Sequence, residues 1–238
     1  MTSLAPPAAI TRSAGRRDRL LLAAVTAPPL VLAGVGLTHP HHLDATTATW
    51  WTWMHLLLIP VFPLLGVGHW LLLRRVPGVL PWVSRVAAFV FACFYTGLDA
   101  VAGVGNGVLM LRSGAADQSD LPEVGWLFGI GNELGSVGGW ALVLAAVTTS
   151  AVLVRRAGVR ALPGATLLVA ATAVFSGEHI YFPVGVLAVV GIAVGSALLA
   201  AVARPQDVPA SAADPAPTGP APTGPAPTGP ASATGSTR

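Results

Sequence analysis

The sequence predicts an all-α fold, a polytopic integral membrane bundle of six transmembrane helices with both termini on the cytoplasmic side. Three observations lead there. Of 238 residues, 53% are hydrophobic and only 10% charged, where a soluble domain carries roughly 25% charged residues. The apolar residues gather into runs of about 20, the length that crosses roughly 30 Å of hydrocarbon. The cations fall between those runs, and mostly between alternate ones.

The first element is a basic stretch, residues 1–19, read as cytoplasmic, which leads into an apolar run from Leu20 to Leu37. The pair has the layout of a secretory signal. Its apolar part exceeds the usual signal core, however, and no A-x-A site follows, so the run is read as a retained first span. Pro28 and Pro29 predict a kink within it. The second, third and fourth spans run from Trp51 to Leu73, Ser84 to Leu111 and Trp126 to Val154. The fifth, Pro163 to Phe182, abuts the sixth, Pro183 to Ala203, which predicts a tight helical hairpin around Pro183. Residues 20–203 thus form the transmembrane domain. From Arg204 to Arg238 the chain is rich in Pro, Ala, Thr and Gly, and "PAPTG" occurs three times from Pro215. Such a segment has too little apolar surface to offset its ordering entropy, so a disordered cytoplasmic tail with polyproline II character is expected.

Orientation follows from the cations, which are 13 arginines and no lysine. With the N-terminus inside, Arg12, Arg16, Arg17, Arg19, Arg74, Arg75, Arg85, Arg155, Arg156, Arg160, Arg204 and Arg238 are cytoplasmic, and only Arg112 is external. This places the protein in the cell membrane as a multi-pass chain whose first partner is the lipid bilayer. Trp50, Trp51, Trp53 and Trp126 are expected in the outer aromatic belt, Trp70 and Trp82 in the inner one. The pI near 10.0 does not signal nucleic acid, because the arginines form no continuous basic face. The single cysteine, Cys93, excludes an intrachain disulfide.

Three carboxylates fall inside the spans: Asp99, Glu133 and Glu178. Each costs on the order of 3 kcal/mol to insert when ionised, so partners are expected. At about 1.5 Å of rise per residue, His55, Glu133 and His179 reach the same height, roughly 10 Å outward of the midplane, and Asp99 lies near the middle of its span. Asn106, seven residues on, is expected to share the face of Asp99. Asn132 and Ser176 add hydrogen-bonding capacity. In "FSGEHIYFP" (175–183), His179 is expected to face inward and Glu178 to reach water.

Three chemistries remain open on this set. His55, His179, Glu133 and Asp99 suit a divalent transition metal such as zinc, iron or manganese, whose bound water would attack a lipid-borne substrate. The external "HPHHLD" (His39, His41, His42, Asp44), read first as ordinary loop, could capture metal on the same side. No HxxxH or HExxH spacing supports this set, so the ligands would converge by packing alone. In the second chemistry Asp99 and Glu133 are the catalytic acid and base of a proton relay, a small transporter, or an enzyme acting on a lipid-soluble molecule of prenyl or quinone type. In the third, the polar groups only pair helices. His69 is read as an interfacial or packing histidine, and Asp44 as an N-cap.

"GVGNG" sits inside an apolar span with no preceding strand, which argues against a nucleotide loop. The pairs Gly103/Gly107, Gly125/Gly129, Gly131/Gly135 and Gly191/Gly195 are spaced for close helix contact and are expected to draw the third and fourth spans together. Nothing in the sequence fixes the number of subunits or the substrate.

Overall fold

The computed structural model describes residues 8–203, with side chains from Gly15 onward. Arg204, Arg238 and the tail with its PAPTG repeats lie outside the described residues, as does the side chain of Arg12. Within the described residues the regular structure is all helical, without strands. The helices are α1 (Ala8–Gly36), α2 (Ala48–Leu58), α3 (Phe62–Leu72), α4 (Val79–Leu98), α5 (Asn106–Ser113), α6 (Pro122–Ala157), α7 (Leu162–Glu178) and α8 (Val184–Val202). A π-helical segment, Asp99–Gly105, joins α4 to α5.

Five stretches are long and apolar enough to cross a membrane: Gly15–Gly36, Ala48–Leu72, Val79–Ser113, Pro122–Glu178 and Val184–Val202. The fourth has 57 residues and is folded back on itself. A 3₁₀ turn at Gly158–Ala161 separates α6 from α7, and Gly139 on α6 packs directly on Ser176 of α7.

Four boundaries differ from the sequence reading. Helix α1 begins at Ala8 rather than Leu20 and continues through Pro28 and Pro29. The second span is two helices, because Pro60 offers no backbone N–H and the ladder restarts at Phe62 with Pro63 in its first turn. The third contains the π segment. The last hairpin is opened by residues 179–183, where α7 stops at Glu178 and the Phe182–Pro183 peptide is cis.

Glycines set the helix spacing, in antiparallel ladders. On α6, Gly131 faces Ala102, Gly135 faces Leu98 and Gly138 faces Tyr95, which draws α6 onto α4 and the π segment as the spacing predicted. Gly103 and Gly107 face His55 and Thr52 of α2. Gly191 and Gly195 meet Ala171 and Leu168 of α7. Gly125 and Gly129 have nothing against them.

These ladders also sort the polar residues. Gly131 and Gly135 point inward, and Glu133, two residues from each, emerges on the opposite side of α6 and is exposed. The π segment lies between Asp99 and Asn106. Asp99 opens this segment and Asn106 follows it, and both are buried. The seven-residue spacing therefore no longer amounts to two α-helical turns, because a π turn holds more residues. Trp51 is buried rather than in an interfacial belt, and its indole N–H donates to the Gly103 carbonyl at 3.1 Å. Trp50, Trp53, Trp70, Trp82 and Trp126 are exposed.

Candidate functional site

The loops after α1, α5 and α7 share one end of the bundle. Residues 37–47 are fastened to residues 114–121. Gln118 N–H donates to the Leu43 carbonyl (3.1 Å), Leu43 N–H to Gln118 Oε1 (3.1 Å) and Ala45 N–H to the Ala116 carbonyl (3.0 Å). His42 Nε2 pairs with Asp117 Oδ2. Asp44 caps the turn before α2 by accepting from the N–H groups of Thr46 and Thr47, while Thr47 is the N-cap residue itself. So fastened, the loop buries His39, which is 5% exposed.

His39 meets His55 from α2 and His179 from the end of α7, and one ring nitrogen of each lies within 4.8 Å of the other two. His39 stands edge-on to both, with ring centroids 5.2 Å from His55 and 5.8 Å from His179. The backbone at His179 has φ 52°, an unusual state for a non-glycine residue, of the kind that collects at functional sites. The α7 ladder still holds it, through His179 N–H to the Phe175 carbonyl at 2.9 Å.

Each imidazole is oriented through Nδ1. His39 Nδ1 lies 2.8 Å from the Pro40 carbonyl and His55 Nδ1 2.8 Å from the Trp51 carbonyl. A carbonyl only accepts, so both nitrogens carry the proton and both Nε2 atoms keep a lone pair. His179 Nδ1 lies 2.9 Å from the Tyr95 hydroxyl. His39 Nε2 is buried with no hydrogen-bond partner. Burial, then the nearby His55, pushes the His39 pKa down to about 3. Burial, then His39 and His55, holds His179 well below the ordinary histidine value. Tyr181, against His39 at 4.3 Å between centroids, is raised to about 12 by burial. His39 is thus held in its neutral form, the state in which imidazole binds metal.

Three oriented imidazole nitrogens suit zinc, copper, iron or nickel and lack the oxygens that magnesium or calcium require. Metal–nitrogen bonds near 2.1 Å need the nitrogens about 3.4 Å apart, within reach of small ring rotations. No family model, curated protein or solved structure matches the chain.

Of the residues singled out in the sequence, His55 and His179 come together, with His179 inward and Glu178 exposed. Asp99 is fully buried outside this trio, and neither oxygen has a hydrogen-bond partner; the side-chain atoms of Asn106 are in the same condition. Glu133 and Asn132 are exposed on α6, and Ser176 donates to the Ala173 carbonyl. His41, exposed, stacks on Tyr181. His69 is buried within the bundle, with Nδ1 3.0 Å from Thr149 Oγ1, which in turn lies 2.7 Å from Ser84 Oγ.

Two contributors escaped the sequence reading. His39 was weighed only as a loop residue that might meet metal at the surface, and Tyr95 was not weighed at all. Tyr95 did leave a signal: a phenol in an apolar run needs a hydrogen-bond partner, and few polar side chains were available to supply one.

Proposed function

We propose that this is a six-span protein of the cell membrane, with both termini cytoplasmic, that binds a transition-metal ion through His39, His55 and His179 at its external face. Membrane placement and orientation rest on the apolar helices and on the asymmetry of the arginines. Counting six crossings takes α6 and α7 as separate spans, in keeping with the turn at Gly158–Ala161.

The observation that carries the metal reading is the convergence of three imidazoles, two with Nδ1 committed to a carbonyl, around a buried and unpartnered His39 Nε2. Outer hydrogen bonds of this kind are what orient metal-binding histidines. A purely structural cluster would instead satisfy that nitrogen.

The experiment is elemental analysis of the full chain, purified in detergent without chelator and after supplementation with zinc or copper. One ion per chain is expected in the wild type, and none in His39→Ala, His55→Ala or His179→Ala. Folded wild type that takes up no ion would overturn the reading. A second reading, acid–base chemistry or proton movement centred on Asp99, draws on the two unpartnered oxygens of that residue. It predicts activity or transport that fails in Asp99→Asn and persists without metal.

A further inference from the structure

We infer that Asp99 is the counter-charge of the histidine site and makes it select divalent over monovalent cations, an inference that rests on the metal-binding reading above. Three neutral imidazoles contribute no negative charge, so an ion held by them brings its whole charge into a recess walled by Trp51, Phe62 and Phe175, all of them buried. The cost of burying an ion rises with the square of its charge, and a divalent ion suffers most from the lack of a compensating anion.

Among the described residues Asp99 is the one buried carboxylate. Its position is specific. One turn along the chain is Gly103, whose backbone abuts the His55 ring. One turn back is Tyr95, whose hydroxyl meets His179 Nδ1. Along the chain, Asp99 therefore lies between the two residues that touch two of the three ligands. When His179 Nε2 holds a cation, Nδ1–H donates to the Tyr95 oxygen, on the same helical stretch as the carboxylate. Both oxygens of Asp99 are buried without a hydrogen-bond partner, a costly state for an anion that the field of a cation held at the histidines would offset without direct ligation.

The attraction between Asp99 and the ion scales with the charge of the ion. Removing the carboxylate should therefore weaken binding of a divalent ion by some factor, and of a monovalent ion by about the square root of that factor. Loss of an outer partner of a metal site weakens binding by about 10–100-fold.

The test measures Zn²⁺ affinity by competition with a chromophoric chelator, and Cu⁺ affinity by anaerobic competition with bicinchoninate, for the full chain in detergent. Asp99→Asn should lower Zn²⁺ affinity about 10–100-fold and Cu⁺ affinity about 3–10-fold, while Asp99→Glu should retain most of both. Asp99→Leu removes the charge without leaving a polar group and gives the same comparison if the amide variant does not fold. Equal losses for both ions, no loss for either, or an Asp99→Glu that behaves like Asp99→Asn would overturn the inference and leave the histidine site standing. Wild type that binds neither ion would overturn both.

Discussion

Gly103 in the π segment lies so close to the imidazole of His55 that a Cβ built on it would overlap the ring. Adding one methyl group there, as Gly103→Ala, should push His55 away from His39 and His179. The expected result is loss of the bound metal, together with a destabilisation of about 1–3 kcal/mol from overpacking. Metal content and the thermal midpoint of the purified variant check it. Retention of both would mean that the π segment gives way instead of the ring.

Tyr95→Phe removes the hydroxyl that fixes His179 and leaves a buried ring nitrogen without its partner. A stability loss of about 1–2 kcal/mol is expected from the orphaned group, and metal affinity should fall by about tenfold from the lost orientation. Titration of the variant beside wild type checks both, and unchanged affinity would exclude the phenol from the site.

In the metal-free protein, acid should act through His39. Its pKa is about 3 when folded, against an ordinary 6.5. The contribution of a histidine buried in neutral form is fully present above pH 6.5 and is lost as the pH falls from 6.5 toward 3. At pH 5 the loss from this residue is about 2 kcal/mol, at about 1.4 kcal/mol per pH unit. Thermal midpoints of chelator-treated wild type and His39→Gln across pH 5–8 should converge on the acid side. Parallel curves would contradict this.

The clasp between His42 and Asp117 should respond in the opposite direction. Hydrogen bonding to Asp117 raises the His42 pKa, so its contribution is present below 6.5 and is lost as the pH rises through the folded value. Asp117 is held below the usual carboxylate range, chiefly by His42, so its own contribution is lost only in acid. Amide exchange at Ala45 and Gln118, corrected for intrinsic rates, should show more protection at pH 5.5 than at pH 8.5. The difference should vanish in His42→Ala, and equal protection in the wild type at both pH values would rule the clasp out as a pH-dependent tie.

Replacing Gly131 and Gly135 by leucine should prevent α6 from seating on Ala102 and Leu98. The same change at Gly125 and Gly129, which have nothing against them, should leave the fold of the chain intact. Yield of folded, detergent-stable protein separates the two pairs.

The helices were readable because apolar run length alone reports a span. Their interruptions were less so: Pro60 was visible but uncounted, and the π segment has no sequence signature. That one segment undid the count that paired Asp99 with Asn106, which held only for α-helical turns. The outward position of Glu133 was readable in principle, since Gly131 and Gly135 had already been assigned to an inward contact and Glu133 sits midway between them. His39 was not readable, because its burial depends on hydrogen bonds between loops some 75 residues apart in sequence.

Beneath the three histidines, Phe62, Phe91 and Phe175 are fully buried and pack on Tyr95. His69 with its hydroxyl partners lies two turns further along α3, beyond that aromatic floor. In electrical terms the floor acts as an insulator. An ion that stops above it has crossed only a small part of the field, whereas complete passage of one charge is worth about 2.3 kcal/mol per 100 mV. With the orientation and the ion proposed above, occupancy of the histidines should therefore be nearly indifferent to membrane potential, so that the site follows the concentration of its ion on its own side of the membrane rather than the energetic state of the membrane.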